Sequence, residues 1–347
     1  MSGIRCALMR GGTSKGAVFL AADLPSEAAA RDDLLLRVMG SPDVRQIDGL
    51  GGAHPLTSKI AVVSPSADED ADVDYLFLQV VVDQPVVSTS QTCGNMLSAV
   101  APFAIERGLV PAADDVTTVR VRMVNTGGLA TLRVRTPAGA VTYDGDTELA
   151  GVPGTAAPIE IDVEPSAAPL LPTGNATDLL AGLDVTCIDN GMPSVIVRAA
   201  DLGVRGDEDP ADLEADEKLT ARVRELRAAA VEAMGLDPDL EATTVPKIVL
   251  ASAPAHGGTI ATRSFIPVRV HQAIGVLGAA SVAAAVVTPG SVAADLAASS
   301  DGRIRVEHPT GFLDLGVDAG GDGIARTTVV RTARLILDGT VFPAPRR

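Results

Sequence analysis

A helix that must be buried on all sides is encoded by GNMLSAVAPFAIERGLV, residues 94–110 of this 347-residue chain. Apolar side chains occupy every face of the predicted helix until Glu106 and Arg107, and Gly108 supplies a stop signal. A helix that is apolar all round has to be enclosed by other elements. The sequence therefore predicts a central helix with a sheet wrapped around it.

Short β-branched runs flank this helix, separated by Gly, Pro and Asp. Examples are KIAVVSP (59–65), YLFLQVVV (75–82) and TVRVRMVNTGG (118–128). Their period-two character and their turn residues predict strands joined mostly by antiparallel connections. An amphipathic helix over Leu24 to Met39 interrupts them.

The second half repeats this plan without detectable sequence identity. It has strands, an amphipathic helix from about Ala211 to Met234, and a second enclosed helix in AIGVLGAASVAAAVV, residues 273–287. We predict a first half over 1–183, a second over 184–330, and a closing strand over 331–347 that returns to the first half. A pseudo-two-fold between the halves would bring two helix N-termini together, and such termini attract carboxylates.

Composition excludes several classes of partner and site. A net charge of −16 and a pI near 4.6 argue against binding to nucleic acid and to anionic membranes. Three cysteines and four histidines show neither a disulfide framework nor metal-ligand spacing, so we expect no metal and a reducing cytoplasm. No signal peptide is evident, and the most apolar stretch is shorter than the ~20 residues that span a bilayer.

Cys93 lies where the first enclosed helix begins. There the field of the helix favours thiolate over thiol, which makes Cys93 a candidate base or nucleophile. The alternative is a small apolar packing residue, because free cysteines are commonly buried. Gly94 permits close approach of a ligand to the backbone, and Asn95 offers both a donor and an acceptor.

Two lysine-containing stretches in the first half are further candidates. In MRGGTSKG (9–16), backbone N–H groups converge with Thr13, Ser14 and Lys15, as in an anion-binding turn; a plain glycine-rich hairpin is the alternative. Lys59 heads an apolar strand, either as an edge charge reaching solvent or as a desolvated amine able to act as a general base.

In the second half, TRSFIPVRVHQAIGV (262–276) precedes the second enclosed helix. We favour Arg263 as a carboxylate clamp, because a guanidinium can form two parallel bonds to a carboxylate, with Ser264 beside it. Asn190, in CIDNGMPSVIV (187–197), either faces the same cleft or belongs to a simple turn.

Taken together, these stretches resemble the 4-oxalomesaconate tautomerases, which belong to the PrpF-like isomerases. The resemblance runs in order from Met9 to about Gly339, through LMRGGTSKGAVFL (8–20), QTCGNMLSAVAPFAIERGLV (91–110), TRSFIPVRVHQAIGVLGA (262–279) and VVRTARLILDG (329–339). It implies an α+β fold of the diaminopimelate-epimerase-like type, with two pseudo-symmetric halves, each a mostly antiparallel sheet wrapped round a central helix.

The resemblance also implies roles for individual residues. Lys59 and Cys93 match the two residues tied to proton transfer in this family. The related epimerases carry a second cysteine where this chain has HQAIGV (271–276), so racemisation is disfavoured. Cys6 and Cys187 have no counterpart and are expected to be structural. Substrate binding is expected from a group of mostly polar residues: Thr13, Ser14, Lys15, Gly94, Asn95, Asn190, Arg263 and Ser264.

The expected reaction is a 1,3-proton shift that interconverts the keto and enol forms of 4-oxalomesaconate, without cofactor or metal. A neighbouring activity is the alternative: isomerisation of 2-methylaconitate or aconitate with the same two residues. A non-catalytic protein that binds tricarboxylates is the third hypothesis. The expected binding partner is a small tricarboxylate. A homodimer is compatible with the sequence.

Overall fold

The computed structural model describes residues 3–90, 92–164, 169–240, 243–267, 269–299, 303–320 and 323–346, so Gln91 lies outside it. The chain divides into two compact units. The first comprises residues 1–161 and 330–347, and the second comprises 162–329.

The first unit contains two α-helices in the residues that the structure describes, α1 (Ala28–Met39) and α2 (Gly94–Glu106). Its strands are β1 (Ile4–Gly11), β2 (Ser14–Leu20), β3 (Lys59–Pro65), β4 (Val73–Val80), β5 (Val87–Ser88), β6 (Asp115–Met123), β7 (Gly128–Thr136), β8 (Thr147–Glu148) and β9 (Thr155–Ala156), and β10 (Pro158–Val163) crosses into the second unit.

The second unit contains four helices in its described residues: α3 (Pro210–Ala215), α4 (Glu217–Ala233), α5 (Val276–Val287) and α6 (Val292–Leu296). Its strands are β11 (Asp178–Leu180), β12 (Leu183–Asp189), β13 (Pro193–Arg198), β14 (Lys247–Ser252), β15 (Ile260–Ile266), β16 (Arg269–Val270), β17 (Arg303–His308) and β18 (Gly311–Gly320), followed by β19 (Gly323–Val341), which continues into the first unit.

Strand pairing follows the same order in both units. In the first unit, β1 and β2 are antiparallel, β2 and β3 parallel, β3 and β4 antiparallel, β4 and β6 parallel, and β6 and β7 antiparallel. The second unit repeats that order over β12, β13, β14, β15, β17 and β18. Each unit is therefore mixed α and β, with mostly antiparallel pairs.

The two helices predicted to be enclosed are buried. In α2 every residue from Gly94 to Ile105 is buried, and it packs on β1, β2, β3, β4 and β7. In α5 the buried residues are Val276, Leu277 and the run 279–285, and it packs on β12, β13, β17 and β18. The amphipathic helix α1 covers the other face of its sheet, where Leu35, Val38 and Met39 join the core.

The remaining helices differ from prediction at their ends. Helix α1 begins at Ala28 rather than Leu24, because the Glu27 carboxylate accepts from the N–H groups of Ala29 and Ala30 and so caps it. The helix expected over 211–234 is two helices. Asp216 ends α3 with extended backbone, and its carboxylate caps α4.

The division between units lies at residues 161 and 162, earlier than the boundary predicted after residue 183. β11 pairs with β12, which places 178–180 in the second unit. The C-terminal part of β19 pairs with β1, so the segment predicted as a closing strand lies in the first unit. Within the described residues, no helix combines the length and the apolar character needed to cross a membrane.

Candidate active site

Cys93 is the N-cap residue of α2, with extended backbone (φ −129°, ψ 101°). Its carbonyl oxygen accepts from the Leu97 N–H at 3.0 Å and from the Tyr75 hydroxyl at 3.1 Å. Its side chain makes no capping hydrogen bond, and the first turn of α2 contains no acidic residue. The half-buried thiol therefore lies at the positive end of a helix whose charge no carboxylate of that turn offsets.

The hairpin between β1 and β2 packs directly on the first turn of α2. Gly12 has φ +53°, and a Cβ built on it would lie 2.2 Å from Asn95 Oδ1. A Cβ on Gly11 would lie 2.6 Å from the Asn95 carbonyl oxygen. Asn95 Nδ2 donates to Thr13 Oγ1 at 3.1 Å. The glycines of MRGGTSKG thus allow the hairpin to contact the helix N-terminus.

Three buried polar atoms around this contact have no hydrogen-bond partner among the described residues: Ser14 Oγ, Thr92 Oγ1 and Asn95 Oδ1. All three residues are at most 5% exposed. Most buried polar atoms in proteins are paired, so three unpaired atoms beside one helix N-terminus mark a place where a polar ligand can supply the missing bonds.

Lys59 begins β3 and is only 7% exposed. Its Nζ donates to Gln79 Oε1 at 2.8 Å and lies 5.0 Å from the centroid of the Phe77 ring. Among the described residues, no carboxylate forms an ion pair with it. The backbone of Lys59 lies against Gly16, where an added Cβ would be 2.4 Å from the Lys59 carbonyl oxygen and 3.0 Å from Met96 Cε of α2.

Side chains of the strand β4 contact both Lys59 and Cys93. Tyr75, Phe77 and Gln79 alternate along it, so their side chains point to one face of the sheet. Phe77 and Gln79 contact the Lys59 amine, while the Tyr75 hydroxyl bonds the Cys93 carbonyl. The Lys59 amine and the Cys93 backbone therefore both contact one face of the first-unit sheet, the face that carries α2.

Burial decides the state of the neighbouring Tyr75 and of the other two cysteines. It raises the pKa of Tyr75 well above its ordinary value, with the nearby Cys93 adding to the effect, so the phenol stays a neutral donor. It also raises the pKa of Cys6 to about 11 and that of Cys187 to about 12. These two thiols stay protonated near pH 7, which makes them poor nucleophiles.

The two remaining candidates of the first unit, Gly94 and Lys15, lie in different places. Gly94 is the buried first residue of α2. Lys15 points toward the 51–57 loop, where its Nζ would be 3.4 Å from a Cβ on Gly52. Lys15 therefore lies on the side of the hairpin away from Ser14, because neighbouring residues of a strand alternate.

Asn190 is buried in the second unit and held by that unit's own atoms. Its backbone N–H donates to Ser281 Oγ at 3.1 Å, and its Nδ2 donates to the Ala280 carbonyl at 3.1 Å and to Thr327 Oγ1 at 2.8 Å. Both amide hydrogens are occupied. Asn190 thus fixes the turn after β12 against α5.

Arg263 lies on the face of the second-unit sheet that α3 and α4 cover. Phe265, two residues along β15, packs in the core formed with α4, and side chains two apart share a face. Arg263 Nε donates to the Glu208 carbonyl at 2.9 Å and Nη1 to the Thr262 carbonyl at 3.0 Å. Burial lowers its pKa. Ser264 points to the opposite face, and its carbonyl accepts from the His271 N–H at 2.8 Å.

A cavity of about 380 Å³ adjoins Arg263 on that outer face, lined also by Arg205, Ser252, His256, Arg305, Glu307 and Phe312. Arg263 precedes α5 in sequence, but its side chain points away from the face on which that helix packs. The closeness of Arg263 to α5 in sequence therefore does not determine the face of the sheet on which its guanidinium lies.

Sequence reasoning missed Tyr75, Gln79 and Thr92. Tyr75 and Gln79 stand in YLFLQV, whose period-two pattern places them on the same face as Phe77. The pattern predicts which face of the sheet these side chains share, but it does not predict which residue of the next strand lies opposite them. The register between β3 and β4 decides this, and it pairs Gln79 with Lys59.

Comparison with known proteins supports one family. A family model described as PrpF protein matches residues 1–344. The chain is 53% identical over 351 residues to the (4E)-oxalomesaconate Delta-isomerase of a Novosphingobium species, covering 99% of this chain and 98% of that protein. It is 52% identical over 345 residues to the 4-oxalomesaconate tautomerase of Pseudomonas putida, covering 97% and 95%.

A solved structure shows the same fold. The crystal structure of a methylitaconate delta-isomerase superposes with a TM-score of 0.85 at 32% identity, covering 98% of this chain and 95% of that one. The family model, the two relatives and this structure each extend over nearly the whole length. The chain belongs to the PrpF family.

Proposed function

We propose that this protein is an isomerase that interconverts the keto and enol forms of 4-oxalomesaconate by a 1,3-proton shift. The observation that carries the proposal is that one face of β4 bonds both residues, the Lys59 amine through Gln79 and the Cys93 carbonyl through Tyr75. Buried polar atoms that are unpaired among the described residues, Ser14 Oγ and Asn95 Oδ1, lie in the hairpin and the helix turn that meet next to Cys93. Two relatives more than half identical to this chain are named for isomerisation of this acid, which supports the choice of substrate.

The chemistry needs a base, an acid and stabilisation of an enolate. The C–H between the carbonyl and the conjugated alkene is acidified by both, so a positioned weak base can remove its proton. The electron pair of the broken C–H bond moves onto the carbonyl oxygen as a dienolate. A second group then delivers a proton to that oxygen or to the far carbon. We assign these two roles to Lys59 and Cys93.

The first turn of α2 would hold the carboxylates and the developing charge. The N–H groups at the start of α2 and the positive end of its dipole favour an anion there. Within the described part of the chain, Ser14 Oγ and Asn95 Oδ1 have no partner. Thr13 Oγ1 accepts from Asn95, which leaves the hydroxyl hydrogen of Thr13 to donate. Four residues stay weaker proposals: Lys15, Asn190, Arg263 and Ser264. Lys15 points toward the 51–57 loop, and the amide of Asn190 is bonded within its own unit. Arg263 bonds backbone carbonyls on the face away from α5, and the described contact of Ser264 is made by its backbone.

We also infer that the two units are pseudo-symmetric halves of a diaminopimelate-epimerase-like fold. Both units pair their strands in the same order. Each also has one buried helix at the corresponding position in the chain, α2 between β4 and β6 and α5 between β15 and β17. No cysteine stands at the start of α5, where the N-cap is Gly275. The pair of opposed thiols that the related epimerases use is therefore not part of this proposal.

The test is a spectrophotometric assay of the purified protein with 4-oxalomesaconate. We expect Lys59→Met and Cys93→Ser each to lower kcat/KM by about 100-fold or more, the range typical for removal of a general acid or base. Exposed Lys218→Met serves as the control and should keep normal turnover. Near-normal turnover in both site variants would remove the assignment.

Isomerisation of a related acid is the second candidate. The structural similarity to a methylitaconate delta-isomerase favours it, because that protein is named for another unsaturated acid. Parallel assays with 2-methylaconitate and trans-aconitate separate the candidates: we expect the highest kcat/KM with 4-oxalomesaconate. Tight binding of all three acids without turnover would instead support a non-catalytic accessory protein.

A further inference from the structure

Gln79 is the one described hydrogen-bond partner of the Lys59 amine. The distance from Lys59 Nζ to Gln79 Oε1 is 2.8 Å. The amide nitrogen of Gln79 donates to the carbonyls of Pro55 at 3.1 Å and Ser58 at 2.9 Å. Because those carbonyls only accept, they fix the amide with its nitrogen toward the loop and its oxygen toward Lys59.

The acceptor beside this buried amine is neutral. A carboxylate in the same place would favour the charged ammonium strongly, as an opposite charge within ~4–6 Å does. An amide oxygen accepts an N–H bond from the amine in either charge state. The Phe77 ring at 5.0 Å is the other described contact of the amine, and it too carries no net charge. Gln79 thus fixes the direction in which the Lys59 amine points.

The second unit offers an internal comparison. There β13 and β14 pair Ser194 with Lys247, as β2 and β3 pair Gly16 with Lys59. Lys247 likewise begins its strand and is 6% exposed. Extending the register of β14 and β15 by one residue places Ile266 opposite Lys247, where the first unit has Gln79.

This comparison separates two features of the first unit. A buried lysine at the start of the strand occurs in both units, so the architecture of the sheet accommodates it without an amide opposite. The amide is present only where the lysine shares its face with Cys93. Packing of the strand pair therefore does not explain Gln79, since an isoleucine fills the same register position in the other unit.

We propose that Gln79 is a positioning residue for Lys59, which holds the amine in a fixed orientation for proton transfer. The inference rests on the proposed function, because it assigns Gln79 a part in the same reaction. Gln79 acts through Lys59 and is not itself given a contact with the substrate.

Two variants test this inference by kcat, KM and pH dependence. Gln79→Leu removes the acceptor, and we expect kcat to fall about 10- to 100-fold with KM changed less than about threefold, as for loss of orientation of a proton-transfer group. Gln79→Glu places a carboxylate at the amine. We expect the lysine-dependent limb of the pH profile to move up by about one pH unit or more.

The direction of that movement is the same for either role of Lys59. If the amine acts as a base, the acidic limb moves to higher pH, because neutral amine appears later. If it acts as an acid, the alkaline limb moves to higher pH, because the ammonium persists longer. Either result supports the proposal, and the limb that moves identifies the role.

The matched control is Ser58→Ala. The Ser58 hydroxyl anchors the same loop by bonds to Gln46 and to the Val80 carbonyl, without a described bond to Lys59. We expect it to lower the melting temperature and leave the pH profile unchanged. A Gln79→Glu profile that superimposes on that of the wild type, or a Gln79→Leu variant with wild-type kcat, would overturn the inference.

A readout independent of turnover separates this inference from the proposed function. Acetic anhydride modifies Lys59 at a rate that mass spectrometry can follow as a function of pH. We expect the pH profile of this rate to move to higher pH in Gln79→Glu and to stay in place in Ser58→Ala. If that shift occurs but Lys59→Met keeps near-normal turnover, the assignment of Lys59 to proton transfer fails and the catalytic part of this inference fails with it. If the shift is absent while Lys59→Met is inactive, only the positioning role fails.

Discussion

Gly12 has a backbone conformation and a neighbour that both exclude a side chain. Its φ of +53° lies in the left-handed region, and a Cβ would meet Asn95 Oδ1 at 2.2 Å. We expect Gly12→Ala to lower the free energy of unfolding by about 2–3 kcal/mol, from the left-handed backbone and from displacement of Asn95. Because Asn95 moves, kcat/KM should fall as well.

The matched control for this change is Gly127→Ala. Gly127 also has a left-handed φ, +73°, but nothing lies within 4 Å of an added Cβ. We expect it to cost about 1 kcal/mol and to leave turnover intact. Chemical denaturation and steady-state kinetics on both variants isolate the contact with Asn95. Equal effects of the two substitutions on kcat/KM would show that the contact has no role in the site.

Residue-scale inference from sequence was strongest for the helix N-terminus. A cysteine before an apolar helix is a local pattern, so the sequence predicts Cys93, Gly94 and Asn95 at a helix N-terminus, and the structure places all three there. Lys59 was ambiguous in sequence. Its burial against Phe77 and Gln79 excludes the solvent-exposed alternative.

At the scale of elements, Glu307 of β17 fastens the turn between β14 and β15. Its carboxylate accepts from the backbone N–H groups of Ala255 at 2.9 Å, His256 at 2.7 Å and Gly258 at 2.7 Å. Burial alone would raise the pKa of Glu307, but these three hydrogen bonds outweigh it and bring the pKa below its ordinary value of 4.5. The turn depends on this carboxylate because its N–H groups have no strand partner.

The depressed pKa of Glu307 makes part of the stability depend on pH. A carboxyl whose pKa is lower in the folded state stabilises above its unfolded pKa, and that stability is lost as pH falls through the folded pKa. We expect Glu307→Gln to lower the free energy of unfolding by about 1–3 kcal/mol at pH 7. The difference from wild type should shrink as pH falls below about 4.5.

Denaturant titrations between pH 3 and pH 7 measure this effect. Exposed Glu232→Gln is the control and should change stability by less than about 0.5 kcal/mol at each pH. A Glu307→Gln effect that stayed constant over this range would show that the charge of the carboxyl is not what holds the turn.

At the scale of the whole molecule, β19 links the two units through one continuous strand. Residues up to Val329 pair with β18, and the later part pairs with β1 from Ile4 to Gly11. Thr332 also binds the hairpin that carries the site: its carbonyl accepts from the Gly12 N–H at 2.9 Å and from Arg10 at 3.0 Å. The hairpin therefore depends on residues more than 300 positions away.

A chain that ends at Val329 should lose the first unit and the activity. Removal of 330–347 takes away the β19 partner of β1 and leaves β1 paired with β2 alone. We therefore expect the β1 amide hydrogens that bond to β19 to exchange rapidly and kcat/KM to fall below detection. Removal of 345–347 alone should change neither quantity. Hydrogen exchange followed by mass spectrometry makes the comparison, and continued protection of β1 in the longer deletion would contradict the prediction.

Some features of this protein follow from the sequence by itself. The two enclosed helices, the strand runs and the cysteine at the start of α2 were predictable, because burial on every face and period-two alternation are patterns of neighbouring residues. The tertiary structure decided which side chains meet. Gln79 contacts Lys59, Tyr75 bonds the Cys93 carbonyl, and Arg263 faces away from α5, because such partners depend on strand register and on sheet face, which local pattern leaves open.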